Sequence, residues 1–351
     1  MSLAPALPAL GAAILFGAST PFAKLLVGDT PPVLLAGLLY LGSGLGLALL
    51  LMARRGVQGP GATSGALRIP RHDVPWLLGA VVAGGILGPV LLMLSLTRTG
   101  AASASLLLNM EGVLTALLAW FWFKENADRR IVLGMAAIVA GGALLSWEPG
   151  GATLSYGALL VLGACACWAI DNNLTRKVAT NDALLIACIK GLIAGTCNTA
   201  VALAAGAQLP DASGLGAALA VGFAGYGVSL ALFVVALRTL GTARTGAYFS
   251  VAPLFGVVVS LLLWPSLPGP LFWLAAALMA LGLWLHLQER HEHEHTHEPL
   301  AHVHRHTHDE HHQHAHEFPW DPARPHAHHH VHAPITHKHP HYPDIHHRHT
   351  H

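Results

Sequence analysis

Three ionisable side chains lie inside long apolar stretches of this chain, where a charge is expensive. They are Glu111, Asp171 and Lys190. Placing such a group at the centre of a membrane helix costs about 2.5–3.5 kcal/mol on insertion scales, so each suggests a functional site. Asn109 and Asn172 lie one or two residues away from the two acids and could supply hydrogen bonds. We expect a substrate or coupling site built from these five residues.

Glu111 is the strongest candidate for a coupling group. A carboxyl among apolar helices could bind and release a proton during a transport cycle. Lys190 would then serve as its counter-charge or bind an anionic group of the substrate. The alternative is structural, because an ion pair of Lys190 with Glu111 or with Asp171 could simply fix the register of the helices.

The elements that must position these residues are apolar segments of membrane-spanning length. The chain is 53% hydrophobic and 11% charged, whereas a soluble domain carries about 25% charged residues. A helix needs roughly 20 residues to cross the hydrocarbon of a bilayer. The segments predict an all-α polytopic membrane protein with ten transmembrane helices, near residues 5–25, 32–53, 74–96, 100–123, 131–147, 154–175, 182–206, 214–237, 242–264 and 269–286.

Prolines lie inside two of these segments. Pro21 and Pro253 are expected to interrupt the backbone hydrogen bonds of their helices. A broken helix can expose backbone groups to a substrate cavity, but membrane helices also accept proline for packing reasons. The sequence leaves both interpretations open.

The basic residues are distributed unevenly between the two ends of the predicted spans. Cytoplasmic connections of membrane proteins are rich in Lys and Arg. If the N-terminus is cytoplasmic, the outer ends hold only Lys24 and Arg98. With an even number of spans, both termini are then expected in the cytoplasm of a multi-pass protein of the cell membrane. The inner connections would hold Arg54, Arg55, Arg68, Arg71, Lys124, Arg129, Arg130, Arg176, Lys177, Arg238 and Arg244.

The second half of the apolar region repeats the first. Residues 100–120 align without a gap with residues 241–261, and Gly84 aligns with Gly225 in the preceding spans. Residues 16–24 align with residues 168–176. Because each copy has five spans, an odd number, the second copy must be inverted in the membrane. Inverted repeats are typical of alternating-access carriers, whose substrate site lies at the repeat interface near the bilayer midplane.

These aligned segments resemble the EamA-type family of the drug/metabolite transporter superfamily. The resemblance is carried by residues 16–24, 100–125 and 241–264 and covers residues 5–287. It implies two inverted five-helix repeats, at 5–147 and 154–287, around a central cavity. It also implies secondary transport of small metabolites, often export, without ATP or another required cofactor.

The resemblance has departures that suggest a distinct subgroup. Glu111 and Gly112 stand where the second copy has Ala252 and Pro253. Glu125 is the acidic residue that commonly ends span four in the family, but its repeat partner is Ser266. A histidine-rich C-terminal tail follows the second copy.

The tail, residues 288–351, differs completely in composition from the spans. All of the 26 histidines except His72 and His286 lie in it, interspersed with acids. It has too few apolar residues to form a core and is expected to be disordered when free. Neutral imidazole suits Zn, Ni, Co and Cu, so the alternating histidines are candidate metal ligands: His291, His293, His295, His297, His302, His304, His306 and His308.

Two transport functions therefore compete. The first is a secondary exporter of a small metabolite, coupled to protons through Glu111. The second is a divalent-metal transporter whose tail collects Zn, Ni, Co or Cu; against it, the spans contain few metal-ligating side chains. An enzyme is not expected, because the sequence has no nucleophile–base set and no nucleotide-binding motif. The expected partners are a small molecule or ion and the lipid bilayer, without nucleic acid; a homodimer stays open.

Overall fold

The helices of the computed structural model follow the apolar segments. The structure describes residues 6–58, 69–123, 129–146, 155–178, 181–240, 248–287, 292–297, 301–306, 326–331 and 335–340. Of the residues named above, Arg68, Lys124, Glu125, Arg244, His291 and His308 lie outside these ranges. The chain divides into two units, residues 1–289 and 290–351, each of which is described by itself.

The first repeat forms seven helical pieces and one π-helical segment. The bounds are α1 Leu7–Leu26, α2 Pro32–Gln58, α3 Val74–Ala80, the π-helical segment π1 Val81–Leu87, α4 Gly88–Leu96, α5 Ala101–Leu107, α6 Met110–Phe123 and α7 Arg129–Ser146. The third span thus runs through α3, π1 and α4, and the fourth runs through α5 and α6.

The second repeat has a similar series. Its bounds are α8 Tyr156–Val178, α9 Ala183–Ala204, α10 Ala212–Gly222, the π-helical segment π2 Phe223–Val228, α11 Ser229–Leu240, α12 Ala252–Leu263 and α13 Pro270–Leu287. Within the described part of the chain, seven helical segments are long and apolar enough to cross a membrane, and three shorter apolar helices complete the set. The all-helical polytopic fold predicted from the sequence is confirmed.

Contacts between the two repeats come in exchanged pairs. Helix α1 packs on α12, and its counterpart α8 packs on α6. In the same way α8 packs on the third span, and α1 packs on the eighth. Helix α2 packs on α9, and α7 packs on α13, so these pairs join equivalent elements of the two repeats. This exchange indicates a pseudo-twofold relation between the two repeats.

Small residues allow the repeats to approach closely. A Cβ on Gly191 of α9 would lie 2.7 Å from the backbone of Gly44 in α2. A Cβ on Gly282 of α13 would lie 2.6 Å from the side chain of Ile138 in α7. Lipid supplies no hydrophobic force between membrane helices, so such close van der Waals packing contributes to holding them together.

The helix breaks do not lie where the prolines alone would put them. Helix α1 continues through Pro21, whereas α12 begins at the residue before Pro253. The fourth span is interrupted at Leu108 and Asn109, which form a turn without a proline. Turn residues 250 and 251 interrupt the ninth span at the equivalent place, within one residue of the repeat alignment.

The second unit contains four short strands where the sequence predicts a disordered tail. Strand β1 Glu292–His297 pairs antiparallel with β4 Ile335–Pro340, and β2 Ala301–His306 pairs antiparallel with β3 His326–Val331. The alternation of histidine with other residues has a period of two, which is the period of an extended strand. Composition alone, from which disorder was expected, does not reveal this pattern.

Candidate functional site

Glu111 lies at the start of a helix inside the fourth span. The side-chain amide of Asn109 donates to the carbonyl of Leu106 at 2.9 Å, a local bond that competes with the helical backbone and ends α5. The chain then restarts as α6, with Glu111 in its first turn. A carboxylate at this position is favoured by the positive end of the helix dipole. The local sequence therefore places one carboxyl at a helix N-terminus within the apolar region.

The partner of Glu111 is a neutral amide. Asn172 of α8 donates from Nδ2 to Oε1 of Glu111 at 2.9 Å and to Oγ1 of Thr115 at 3.3 Å. The neighbouring Asn173 donates to the carbonyl of Thr115 at 3.3 Å and to that of Ala169 at 2.8 Å. Polar bonds thus join α6 to α8 across the repeat interface, and Asn172 itself is exposed.

Asp171, the residue before Asn172 in α8, forms an ion pair with Lys190 of α9. Nζ of Lys190 lies 2.5 and 2.6 Å from the two carboxylate oxygens of Asp171. The hydroxyl of Thr175 donates to Asp171 at 2.8 Å. The Asp171 side chain is 8% exposed and that of Lys190 is 17% exposed. Burial of both charges is tolerable because each has the other and because Thr175 adds a hydrogen bond.

Gly84 of π1 is the residue of the third span that lies against Asp171 of this ion pair. The backbone N–H of Gly88 bonds to the carbonyl of Ala83 in the π-helical pattern. The next residue, Pro89, has no N–H, so the carbonyl of Gly84 has no helical donor. The Tyr40 hydroxyl and Nε1 of Trp168 each donate to this carbonyl at 2.9 Å. A Cβ on Gly84 would overlap the carboxylate of Asp171.

The other repeat has the same architecture without the charges. Segment π2 covers the positions equivalent to π1, and a Cβ on Gly225 would lie 2.5 Å from Cβ of Ser19. In the repeat alignment Ser19 is the counterpart of Asp171. Segment π2 therefore packs against a serine, whereas the equivalent segment π1 packs against the aspartate of a buried ion pair.

The structure brings together four of the five predicted residues as two pairs, Glu111 with Asn172 and Asp171 with Lys190. Asn109 is buried and bonds to its own helix. Sequence reasoning missed Gly84, Tyr40 and Trp168 as supports of the site. The signal that could have found them is Pro89, five residues after Gly84. In a π-helical segment this proline leaves the carbonyl of Gly84 without a backbone donor, so side chains must supply one.

The predicted metal ligands lie in the second unit as far as they are described. Three of them belong to β1 and three to β2: His293, His295, His297, His302, His304 and His306. His291 and His308 are outside the described residues. Where side chains are described, no group of three or more His, Cys, Asp or Glu residues could hold a metal ion. Of the three residues that could supply a sparse metal site, Asn109 has its side-chain amide bonded to the carbonyl of Leu106.

Comparison with known proteins decides the family. The model of the EamA-like transporter family matches the chain twice, over residues 4–147 and residues 155–288. The chain belongs to the EamA-like transporter family. Membership of the drug/metabolite transporter superfamily follows from it, and this EamA protein is a multi-pass membrane transporter.

Relatives of this EamA protein are also named as transporters. An uncharacterized transporter of Methanothermobacter thermautotrophicus is 28% identical over 264 residues, which cover 72% of this chain and 77% of the relative. The uncharacterized transporter YvbV of Bacillus subtilis is 27% identical over 48% of this chain and 52% of its own length.

A shorter match and a solved structure add to this comparison. A protein of Pseudomonas paraeruginosa, named as a probable 4-amino-4-deoxy-L-arabinose-phosphoundecaprenol flippase subunit, ArnE, is 44% identical over 75 residues. That match spans 21% of this EamA chain and 63% of the relative. A crystal structure at 19% identity superposes with a TM-score of 0.58 over 81% of this chain and 96% of the other. The superposition supports the fold.

Proposed function

We propose that this EamA protein is a secondary transporter that exports a small metabolite by alternating access, and that Glu111 carries the coupled proton. The observation that supports Glu111 is its neutral partner. Its carboxylate accepts from Asn172, whereas the nearby Asp171 is neutralised by Lys190. Glu111 can therefore gain or lose a proton without breaking an ion pair. Asp171 cannot do so without leaving Lys190 buried and uncompensated.

The position of Glu111 supports the same role. It lies where α6 and α8, which belong to different repeats, are joined by side-chain hydrogen bonds. Relative movement of the two repeats is the basis of alternating access in inverted-repeat carriers. A proton bound at Glu111 would change the bond to Asn172 and so bias the movement of one repeat against the other.

The proposed setting is the cytoplasmic membrane, with both termini in the cytoplasm. This orientation places the basic connections inside, as the positive-inside rule requires. Residues 5–147 and 154–287 would be the two moving repeats. The tail would then be cytoplasmic, where its histidines could bind Zn, Ni, Co or Cu as an accessory.

A divalent-metal transporter is the second candidate, and the histidine-rich tail is the observation in its favour. The membrane unit gives it little support, because its described side chains contain no cluster of metal-ligating groups. Truncation separates the two functions, since removal of residues 288–351 should leave metabolite transport intact. If the full-length protein transports Zn, Ni, Co or Cu and truncation abolishes that transport, the metal function is the correct one.

Replacement of the coupling carboxyl should abolish proton-coupled transport. In everted membrane vesicles with an imposed pH gradient, a transported compound should dissipate the gradient, as followed with a pH-sensitive dye. A panel of amino acids, organic amines and organic acids serves as the probe. We expect Glu111→Gln to reduce this dissipation at least about tenfold, because the amide cannot carry the proton.

The matched control is Asp29→Asn, which makes the same chemical change in an exposed turn outside the spans. It should retain the wild-type rate. Full dissipation by the Glu111→Gln protein, at equal amounts in the membrane, would show that another group couples the proton.

A further inference from the structure

Histidines lie opposite one another in both strand pairs of the second unit. In the β2–β3 pair, three alternate positions place histidine opposite histidine: His302 and His330, His304 and His328, and His306 and His326. In the β1–β4 pair, two alternate positions do so: His293 and His339, and His295 and His337. We call these two sets the six-histidine ladder and the four-histidine ladder.

The register places all the histidines of a ladder on one face of its strand pair. Residues two apart along a strand share a face, and so do residues that lie opposite each other. Opposed residues have Cβ atoms about 4.5–5.5 Å apart, and the next pair on that face follows about 7 Å along the strands. Two adjacent pairs therefore bring four imidazoles together. A slip of one residue in the register would move the histidines of one strand to the other face.

Residues between the histidines are consistent with the same register. In the β1–β4 pair, Glu294 lies opposite Lys338, and Thr296 lies opposite Thr336. Opposite charges and paired threonines are favourable cross-strand neighbours. Three residues separate the two ladders on each side, 298–300 and 332–334, so both ladders have the same register. The two halves of the tail are thus matched to each other, which a high histidine content alone does not require.

Backbone pairing alone gives these strand pairs little stability. An isolated two-stranded ribbon is at best marginally stable in water, and opposed histidines repel each other when they are protonated. An ion bound by neutral imidazoles of both strands would supply the missing stability, because binding to a site that the free chain lacks contributes directly to folding. Four neutral imidazoles satisfy the tetrahedral preference of Zn²⁺.

We infer that each ladder is a separate site for Zn²⁺ or a similar transition-metal ion, bound by four histidines of which two come from each half of the tail. Metal binding then closes the tail into a hairpin, and withdrawal of the metal opens it. This inference rests on the proposed metal binding by the tail and not on the role of Glu111. It adds five ligands that the sequence did not single out: His326, His328, His330, His337 and His339.

Zinc titration of the full-length protein, purified without an added histidine tag and placed in lipid nanodiscs, tests the two sites. Competition with a fluorescent zinc indicator separates tightly bound from weakly bound ions. We expect about two tightly bound ions per chain, one for each ladder, because each ladder holds at least four histidines. A variant without the β3 ligands should lose one of the two ions: His326→Gln, His328→Gln and His330→Gln.

The matched control removes the same number of imidazoles from outside the ladders and should keep both ions: His311→Gln, His312→Gln and His314→Gln. Removal of the β2 ligands should cost the same single ion as removal of the β3 ligands: His302→Gln, His304→Gln and His306→Gln. The combined variant of β2 and β3 should lose no further tight ion, because the two sets share one site. Equal losses in the control and in the β3 variant overturn the inference.

Spin labels test the register of the hairpin. Thr296→Cys and Thr336→Cys, in a full-length protein whose four native cysteines are replaced by alanine, place nitroxides at opposed positions that are not ligands. Because Zn²⁺ is diamagnetic, we expect its addition to broaden the spectrum through the label pair and a chelator to reverse the change. Labels at Thr296→Cys and Ala327→Cys, which are not opposed, should show weaker broadening.

The outcomes separate this inference from the proposed metal binding by the tail. Tight zinc binding that falls equally in the control and the β3 variant, or that leaves the label pair at Thr296 and Thr336 unbroadened, would refute the ladders but support a metal-binding tail. Absence of tight zinc binding to the full-length protein would refute both. Loss of one ion in the β3 variant alone, together with broadening of the opposed pair, supports both.

Discussion

Gly84→Ala is expected to disable both the folding and the transport of this EamA protein. The added methyl group would overlap the carboxylate of Asp171, so Asp171 would have to leave its position against Lys190. Separating a buried ion pair leaves two uncompensated charges and costs about 3–5 kcal/mol. We expect a lower melting temperature in detergent and loss of substrate-dependent dissipation of the pH gradient.

Gly112→Ala is the matched control for this substitution. Gly112 is next to Glu111 in α6, but a Cβ there would meet no atom within 4 Å. The change should leave stability equal or raise it by up to about 1 kcal/mol, because alanine favours a helix over glycine. If Gly84→Ala melts and transports like Gly112→Ala, the contact between π1 and Asp171 has no energetic role.

The second large effect concerns the ion pair itself. Asp171→Asn and Lys190→Met, made singly, should each destabilise the protein by about 3–5 kcal/mol, since each leaves one charge buried without its partner. The double variant should recover most of this loss, because no buried charge remains. Thermal unfolding of the four proteins gives the coupling energy between the two positions.

Transport by the double variant then separates the two roles left open by the sequence. If the pair only fixes helix register, the stable double variant should transport at the wild-type rate. If Lys190 contributes charge to the site, the double variant should be stable but at least about tenfold slower. Additive destabilisation in the double variant would contradict the ion pair.

The fold was predictable because its main constraint is the length of the apolar segments, which the sequence shows directly. A helix must be about 20 apolar residues long to cross the bilayer, and each long apolar segment of the sequence is helical over most of its described residues. The repeat was also readable, because residues 100–120 and 241–261 align without a gap. Hydrophobicity and spacing along the chain are sufficient for both features.

The break in the fourth span was not predictable from proline. Pro21 lies within an unbroken helix, whereas Asn109 ends α5 with a side-chain bond to Leu106. Such local bonds compete with the backbone only when tertiary packing permits them. The sequence marks Asn109 as polar, but it does not say which carbonyl its amide will reach.

The pairing of the charges also needed the structure. Glu111 and Asp171 were both available to Lys190, and separation along the chain does not choose between them. Helices α8 and α9 both pack on π1, and Nζ of Lys190 lies 2.5 Å from a carboxylate oxygen of Asp171. Packing of α6 on α8 gives Glu111 the amide of Asn172. The difference matters because it leaves Glu111 free to change its charge.

Access to the site from both sides of the membrane tests the central claim most directly. Gly112→Cys, in a protein whose four native cysteines are replaced by alanine, places a thiol at an exposed position next to Glu111 without removing its bond to Asn172. Membrane-impermeant thiol reagents are applied to right-side-out and to everted vesicles. Alternating access predicts labelling from both sides, with slower labelling when substrate is bound. Labelling from one side only would contradict a carrier that exposes this site alternately to the two faces.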